Sequence, residues 1–168
     1  ILGGGQQQNL RSGTMNSAGV VGLAKALTKC YQCNGWGQTG DSIGTEQLRL
    51  AGLRKRLYDG LCAGLPELKL NGPSLDMPAS VEQLTRLAGN LNLNFYPIEG
   101  QSLMLELPHL AMSSGSACTS ADGRPSHVLE SIGLSAEQAR SSLRLGLGRY
   151  NTEQEMDLAA EAVVTAAN

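Results

Sequence analysis

Asn90-Leu91-Asn92-Leu93-Asn94-Phe95-Tyr96 alternates a polar amide with an apolar side chain. Successive side chains of a β-strand point to opposite faces, so this stretch predicts a strand that buries Leu91, Leu93 and Phe95 on one side. Ser142 to Gly148 repeats the period with Leu143, Leu145 and Leu147, and predicts a second strand. Two shorter candidates lie outside these. Leu68 to Leu70 precedes a turn at Asn71-Gly72-Pro73, and Leu110 to Met112 leads into a loop of small polar residues.

The segments around the strands carry helical spacing. Leu50, Leu53, Leu57 and Leu61 recur every three or four residues, which stacks them on one face of a helix from Glu46 to about Leu61. Arg49, Lys55 and Arg56 fall toward water, and Gly64 and Pro66 end the helix. Another helical stretch begins at Asn16, with Val20, Val21, Leu23, Ala24 and Leu27 on a broad apolar face. Val81 to Leu87 and Pro125 to Ile132 predict short helices, the second with Pro125 near its first turn. Glu99 to Leu107 fits either a helix or a strand. Ser135-Ala-Glu-Gln138 and Thr152-Glu-Gln-Glu155 have the capping-box pattern, and the second opens a terminal helix lined by Met156, Ala160, Val163 and Ala167. Helices mixed with antiparallel strands make the fold class α+β.

Composition sets the wider limits. The chain has 168 residues, of which 41% are hydrophobic and 17% charged, and these proportions suit a globular core. A formal net charge of −2, with one Phe and one Trp, gives no footprint for nucleic acid. No apolar run approaches the roughly 18 to 20 residues of a membrane helix. The opening Ile1-Leu2-Gly3-Gly4-Gly5 reads as the interior of a longer protein, so a fragment is expected. Three parts are expected: the end of a large domain with a connecting helix (1–30), a Gly-rich loop or linker (31–43), and a small domain (44–168).

Among Cys30, Cys33, Cys62 and Cys118, the last has the most distinctive setting. Ser113-Ser-Gly-Ser-Ala-Cys-Thr-Ser120 surrounds it with small residues. Such a loop predicts an exposed thiol able to reach a substrate and then a partner. An inert surface cysteine fits the same residues. Cys30 and Cys33 form a single Cys-x-x-Cys with no second ligand pair, which argues against zinc. His127 follows Cys118 by nine residues but belongs to the helix that starts near Pro125.

The Cys118 loop resembles the active-site loop of group-I cysteine desulfurases. The remaining pieces follow in that family's order: Gly3-Gly-Gly-Gln6 with Leu10-Arg-Ser-Gly-Thr14, then Leu70-Asn71-Gly72, Asn90-Leu-Asn92, Pro125-Ser-His-Val-Leu129, Ile132-Gly133-Leu134, Ser141-Ser-Leu-Arg144 and Leu147-Gly-Arg149. The resemblance implies the C-terminal part of a pyridoxal 5′-phosphate enzyme of fold type I. It implies that Cys118 takes the sulfur of L-cysteine as a persulfide while alanine leaves. Arg144 matches the arginine that grips the substrate carboxylate, a task suited to a planar guanidinium fork. Thr14 matches a threonine that reaches the cofactor phosphate of a neighbouring subunit.

A homodimer in the cytoplasm or an organelle matrix, serving iron–sulfur or other sulfur-cofactor assembly through an acceptor or scaffold protein, follows from the same likeness. The family's cofactor lysine lies upstream of the Gly-rich opening, and Lys25, Lys29, Lys55 and Lys69 do not match it. The isolated chain is therefore expected to be inactive. A cystine or selenocysteine lyase, and a non-catalytic sulfur-relay module, remain as alternatives.

Overall fold

A computed structural model describes residues 3–32, 43–75, 83, 85–114 and 125–168. It divides into two units, Ile1–Ile43 and Gly44–Asn168.

The first unit holds helix α1 (Ser17–Gln32), preceded by a short 3-10 turn at Gln6–Asn9. Its N-terminal segment closes on itself: Ser12 Oγ donates to Gly4 O at 2.6 Å, and Arg11 Nη1 donates to Gly13 O and Thr14 O, each at 2.8 Å. Val20, Val21, Leu23 and Leu27 of α1 are exposed, so the apolar face anticipated for this helix is open.

The second unit contains helices α2 (Ile43–Gly64), α3 (Gly100–Glu106), α4 (His127–Ser131), α5 (Ala136–Arg140) and α6 (Glu153–Ala167). Its four strands are β1 (Lys69–Leu70), β2 (Asn90–Asn94), β3 (Met112–Ser114) and β4 (Ser142–Gly146). The sheet order is β1-β2-β4-β3, and every pairing is antiparallel. The central ladder sets Leu91 against Leu145 and Leu93 against Leu143. These four leucines share one face, and there they meet Leu53, Leu57 and Leu61 of α2 and Met156, Ala160 and Val163 of α6.

Helices α2 and α6 approach closely where Gly60 faces Ala160: a Cβ at Gly60 would lie 2.9 Å from the alanine methyl. Arg56 closes the rim of that contact, bonded to Asp157 Oδ1 at 2.7 Å and Glu153 Oε2 at 2.8 Å. Both capping boxes form, Ser135 with Gln138 and Thr152 with Glu155.

Several expectations need correction. Of the loop or linker expected at 31–43, residues 31–32 belong to α1 and Ile43 to α2; residues 33–42 lie outside the described residues. The helix expected at Val81 to Leu87 falls largely outside them too, and residues 85–87 are not helical. Glu99 to Leu107 is a helix, α3. Pro125 precedes α4, whose N-cap is Ser126. The second strand ends at Gly146, before Leu147.

Arg54 is a charged residue in the core that the leucine spacing of α2 does not reveal. It lies between Leu50 and Leu57 on the inward face of α2, is 1% exposed, and donates from Nη1 to Leu87 O at 2.9 Å. Burial pushes its pKa down, and the nearby Arg86 adds to the effect. Among the described residues no helix is long and apolar enough to cross a membrane.

Two outcomes follow from the packing. Leu61 is fully buried, so Leu61→Ala should lower the unfolding free energy by about 2–5 kcal/mol, read as a lower urea midpoint at unchanged m-value. The hydrogen bond from the Thr152 N–H, then one from Asn151, holds the Glu155 carboxyl below its ordinary pKa of 4.5. Its contribution is therefore present above pH 4.5 and fades as pH falls through the lower folded value. Glu155→Gln keeps the acceptor but cannot titrate, and should make the acid fall in melting temperature shallower.

Candidate functional site

The face of the sheet opposite the core is polar, because the alternation that buries the leucines turns every second residue the other way. Asn90, Asn92 and Asn94 of β2 stand opposite Gly146, Arg144 and Ser142 of β4. Asparagine is poorly suited to strands, so a run of alternating asparagines needs partners. Three polar side chains of this face or its margin are buried: Asn71, Asn94 and Ser142.

A connected set of hydrogen bonds satisfies them. Asn71 Nδ2 donates to Asn92 Oδ1 at 2.7 Å and to Ser142 Oγ at 2.9 Å. Ser142 Oγ donates to Gln138 O at 2.8 Å, and Asn94 Nδ2 donates to the same carbonyl at 2.9 Å. Asn71 is itself held by its main chain: its N–H bonds to Asn92 O at 3.0 Å, and its carbonyl accepts from Arg86 Nη2 at 2.9 Å. Gly72 follows at φ +87°, a conformation that lets the chain turn directly after Asn71.

Arg144 projects from this face and is exposed. Its guanidinium has no hydrogen-bond or ion-pair partner among the described residues. Its cross-strand neighbours are Asn92 on β2 and Ser113 on β3. Ser113 opens the Ser113–Ser120 stretch singled out in the sequence, so the sheet places the start of that stretch directly beside Arg144. Cys118 itself lies outside the described residues, which resume at Pro125.

Thr14 belongs to the first unit and is exposed. Its hydroxyl and main-chain N–H make no hydrogen bond among the described residues, and Gly13 before it turns the chain at φ +92°. His127 is an exposed residue at the start of α4. Cys62 is a half-buried thiol of α2 beside Tyr58, whose pKa it raises. Cys30 lies in α1 and Cys33 outside the described residues; among those described, no group of His, Cys, Asp and Glu could hold a metal. A cleft of about 1080 Å³ opens elsewhere in the second unit, lined by α6 with Leu110, Met112 and Leu145, and it does not include Arg144.

The architecture is one seen in NifS-like proteins. A solved structure titled NIFS-like protein superposes on 98% of the chain with a TM-score of 0.72 at 27% identity, over 37% of that protein. A NifS-like protein from Rickettsia africae shares the fold at a TM-score of 0.68 and 24% identity. No protein-family profile matches the chain.

At the sequence level the relatives are more specific. The cysteine desulfurase IscS of Clostridium botulinum is 42% identical over 165 residues, which is 97% of the chain, and that of Pasteurella multocida is 43% identical over 166 residues. The chain is thus homologous, over nearly all its residues, to part of the cysteine desulfurases. It spans little more than a third of those relatives, 38% and 36% of their lengths.

Removing the hub of the polar network should be costly. Asn71→Ala deprives Asn92 Oδ1 and Ser142 Oγ of their donor and should destabilise the fold by about 1–3 kcal/mol in chemical denaturation. Arg144→Ala, at an exposed position without partners among the described residues, should change stability by less than about 0.5 kcal/mol.

Proposed function

We propose that this chain is the part of a pyridoxal 5′-phosphate-dependent cysteine desulfurase that grips the substrate carboxylate and carries away the sulfur. The observation that supports the reading is the pairing of Ser113 with Arg144 across β3 and β4, which sets the first residue of the Ser113–Ser120 stretch beside a guanidinium that has no partner among the described residues. Arg144 binds the carboxylate of L-cysteine through two charge-assisted hydrogen bonds. Its place on a paired strand fixes the direction of approach, and no carboxylate among the described residues occupies the fork.

Cys118 is the nucleophile. Its thiolate attacks the substrate sulfur; the substrate C–S bond breaks with its electron pair going to carbon, which takes a proton and leaves as alanine. The new S–S bond leaves a persulfide on Cys118, and no external oxidant is required.

The hydroxyl and N–H of Thr14, without a partner among the described residues and placed after the turn at Gly13, suit a phosphate oxygen, so the cofactor fits the chain at its phosphate end. When bound, the cofactor supplies an electron sink for carbanion chemistry. The lysine that would hold it comes from outside these 168 residues. The corresponding whole protein is a homodimer, with Thr14 serving the site of the neighbouring subunit. An acceptor or scaffold protein collects the persulfide for iron–sulfur or related assembly in the cytoplasm or an organelle matrix.

In a protein that joins this chain to the lysine-bearing segment, L-cysteine should yield alanine together with a persulfide on Cys118, detected by alkylation and mass spectrometry. Cys118→Ala should abolish both the persulfide and sulfur delivery to an acceptor. Undiminished alanine formation with free sulfide in that variant would instead identify a lyase. No alanine from the unmutated protein would remove the desulfurase reading and leave a sulfur-relay module.

A further inference from the structure

We infer that Asn92 is a second carboxylate-binding residue, its side-chain amide aimed beside Arg144 by Asn71. The inference rests on the reading of Arg144 as the carboxylate ligand and extends it to a residue that reading leaves unused.

The orientation follows from donor and acceptor counting that begins at a main-chain carbonyl. Gln138 O can only accept, so the single hydroxyl proton of Ser142 is committed to it. Ser142 Oγ therefore faces Asn71 as an acceptor, and Asn71 must present its NH2 group there. The other proton of that NH2 goes to Asn92, whose near atom must then be the oxygen. With Oδ1 turned inward, the Nδ2 of Asn92 is turned away from the network.

That Nδ2 has no acceptor among the described residues, and Asn92 is half-buried rather than exposed. It stands directly across the ladder from Arg144, where opposed Cβ atoms lie about 4.5–5.5 Å apart. Two adjacent donor groups, one charged and one neutral, face the same side of the sheet without an acceptor among the described residues. A carboxylate has lone pairs for both, whereas a group lacking acceptor oxygens satisfies neither. Asn92 thus selects an α-amino acid over the corresponding amine, and Asn71 acts as its positioning residue.

The test uses the pyridoxal-loaded full-length protein that contains this chain, with L-cysteine as substrate and cysteamine as competitive inhibitor. Cysteamine keeps the thiol and amine but lacks the carboxylate. Asn92→Ala should raise KM for L-cysteine about tenfold, with kcat changed less than about twofold and the cysteamine inhibition constant unmoved. Asn92→Asp keeps the Oδ1 that Asn71 needs, so it preserves the fold if the alanine variant unfolds; it too should lower the preference for cysteine over cysteamine. Asn71→Ala should raise KM in the unmutated background and add nothing once Asn92 is alanine.

Equal losses for cysteine and cysteamine in the Asn92 variants, or no loss of either, would overturn the inference. Arg144→Lys separates it from the reading beneath it. An unchanged KM in that variant removes the carboxylate role of the face altogether. A raised KM there, with Asn92 variants unaffected, removes the role of Asn92 alone.

Discussion

The antiparallel register between β2 and β4 is the constraint on which the second unit depends. Leu91 against Leu145 and Leu93 against Leu143 bring four side chains to one face, and that face is the floor on which α2 and α6 pack. Strand side chains alternate with a period of two, so the same register sends Asn92 and Arg144 to the other face. A slip by one residue would bury Arg144 among leucines and expose the core. Burial of the leucines therefore stabilises the fold and aims the candidate site in one step.

The polar face is organised with similar economy from a local helix signal. The capping box of α5 bonds Gln138 N to Ser135 Oγ, and Ser135 N to the Gln138 side chain. Gln138 is thereby fixed at the end of the sheet, where its carbonyl receives both Ser142 and Asn94. From that carbonyl the donor–acceptor order runs outward through Asn71 to Asn92. Arg86 secures the same hub from the other side, through Asn71 O and Pro73 O. Arg54, buried, and Arg86, half-buried, are cations bonded to main-chain carbonyls, which tie the segment before β2 to the body of the unit at the cost of lowered pKa values.

Much of this arrangement was legible in the chain. The leucine spacing of α2, the alternation of β2 and β4 and both capping boxes rest on local periodicity and short-range hydrogen bonding, and they appear where expected. Arg144 could be singled out by resemblance, but its neighbours could not. Asn71 and Asn92 are 21 positions apart, and Asn71 and Ser142 are 71 apart, so their contact depends on the sheet order β1-β2-β4. The run of asparagines was a visible anomaly for a strand; what it served was not visible.

The sequence by itself determined α2, α6, β2 and β4 and which side of each turns to the core, because both follow from side-chain period and burial of apolar surface. It also marked Cys118 by its small neighbours, though Cys118 lies outside the described residues. Only the tertiary structure decided that the stretch leading to Cys118 begins beside Arg144, and that Arg54 turns inward on its leucine-lined helix face to cap a carbonyl. Pairing between distant strands and the bonding of buried polar groups are long-range choices, fixed only when separate segments share one sheet and one solvent-excluded interior.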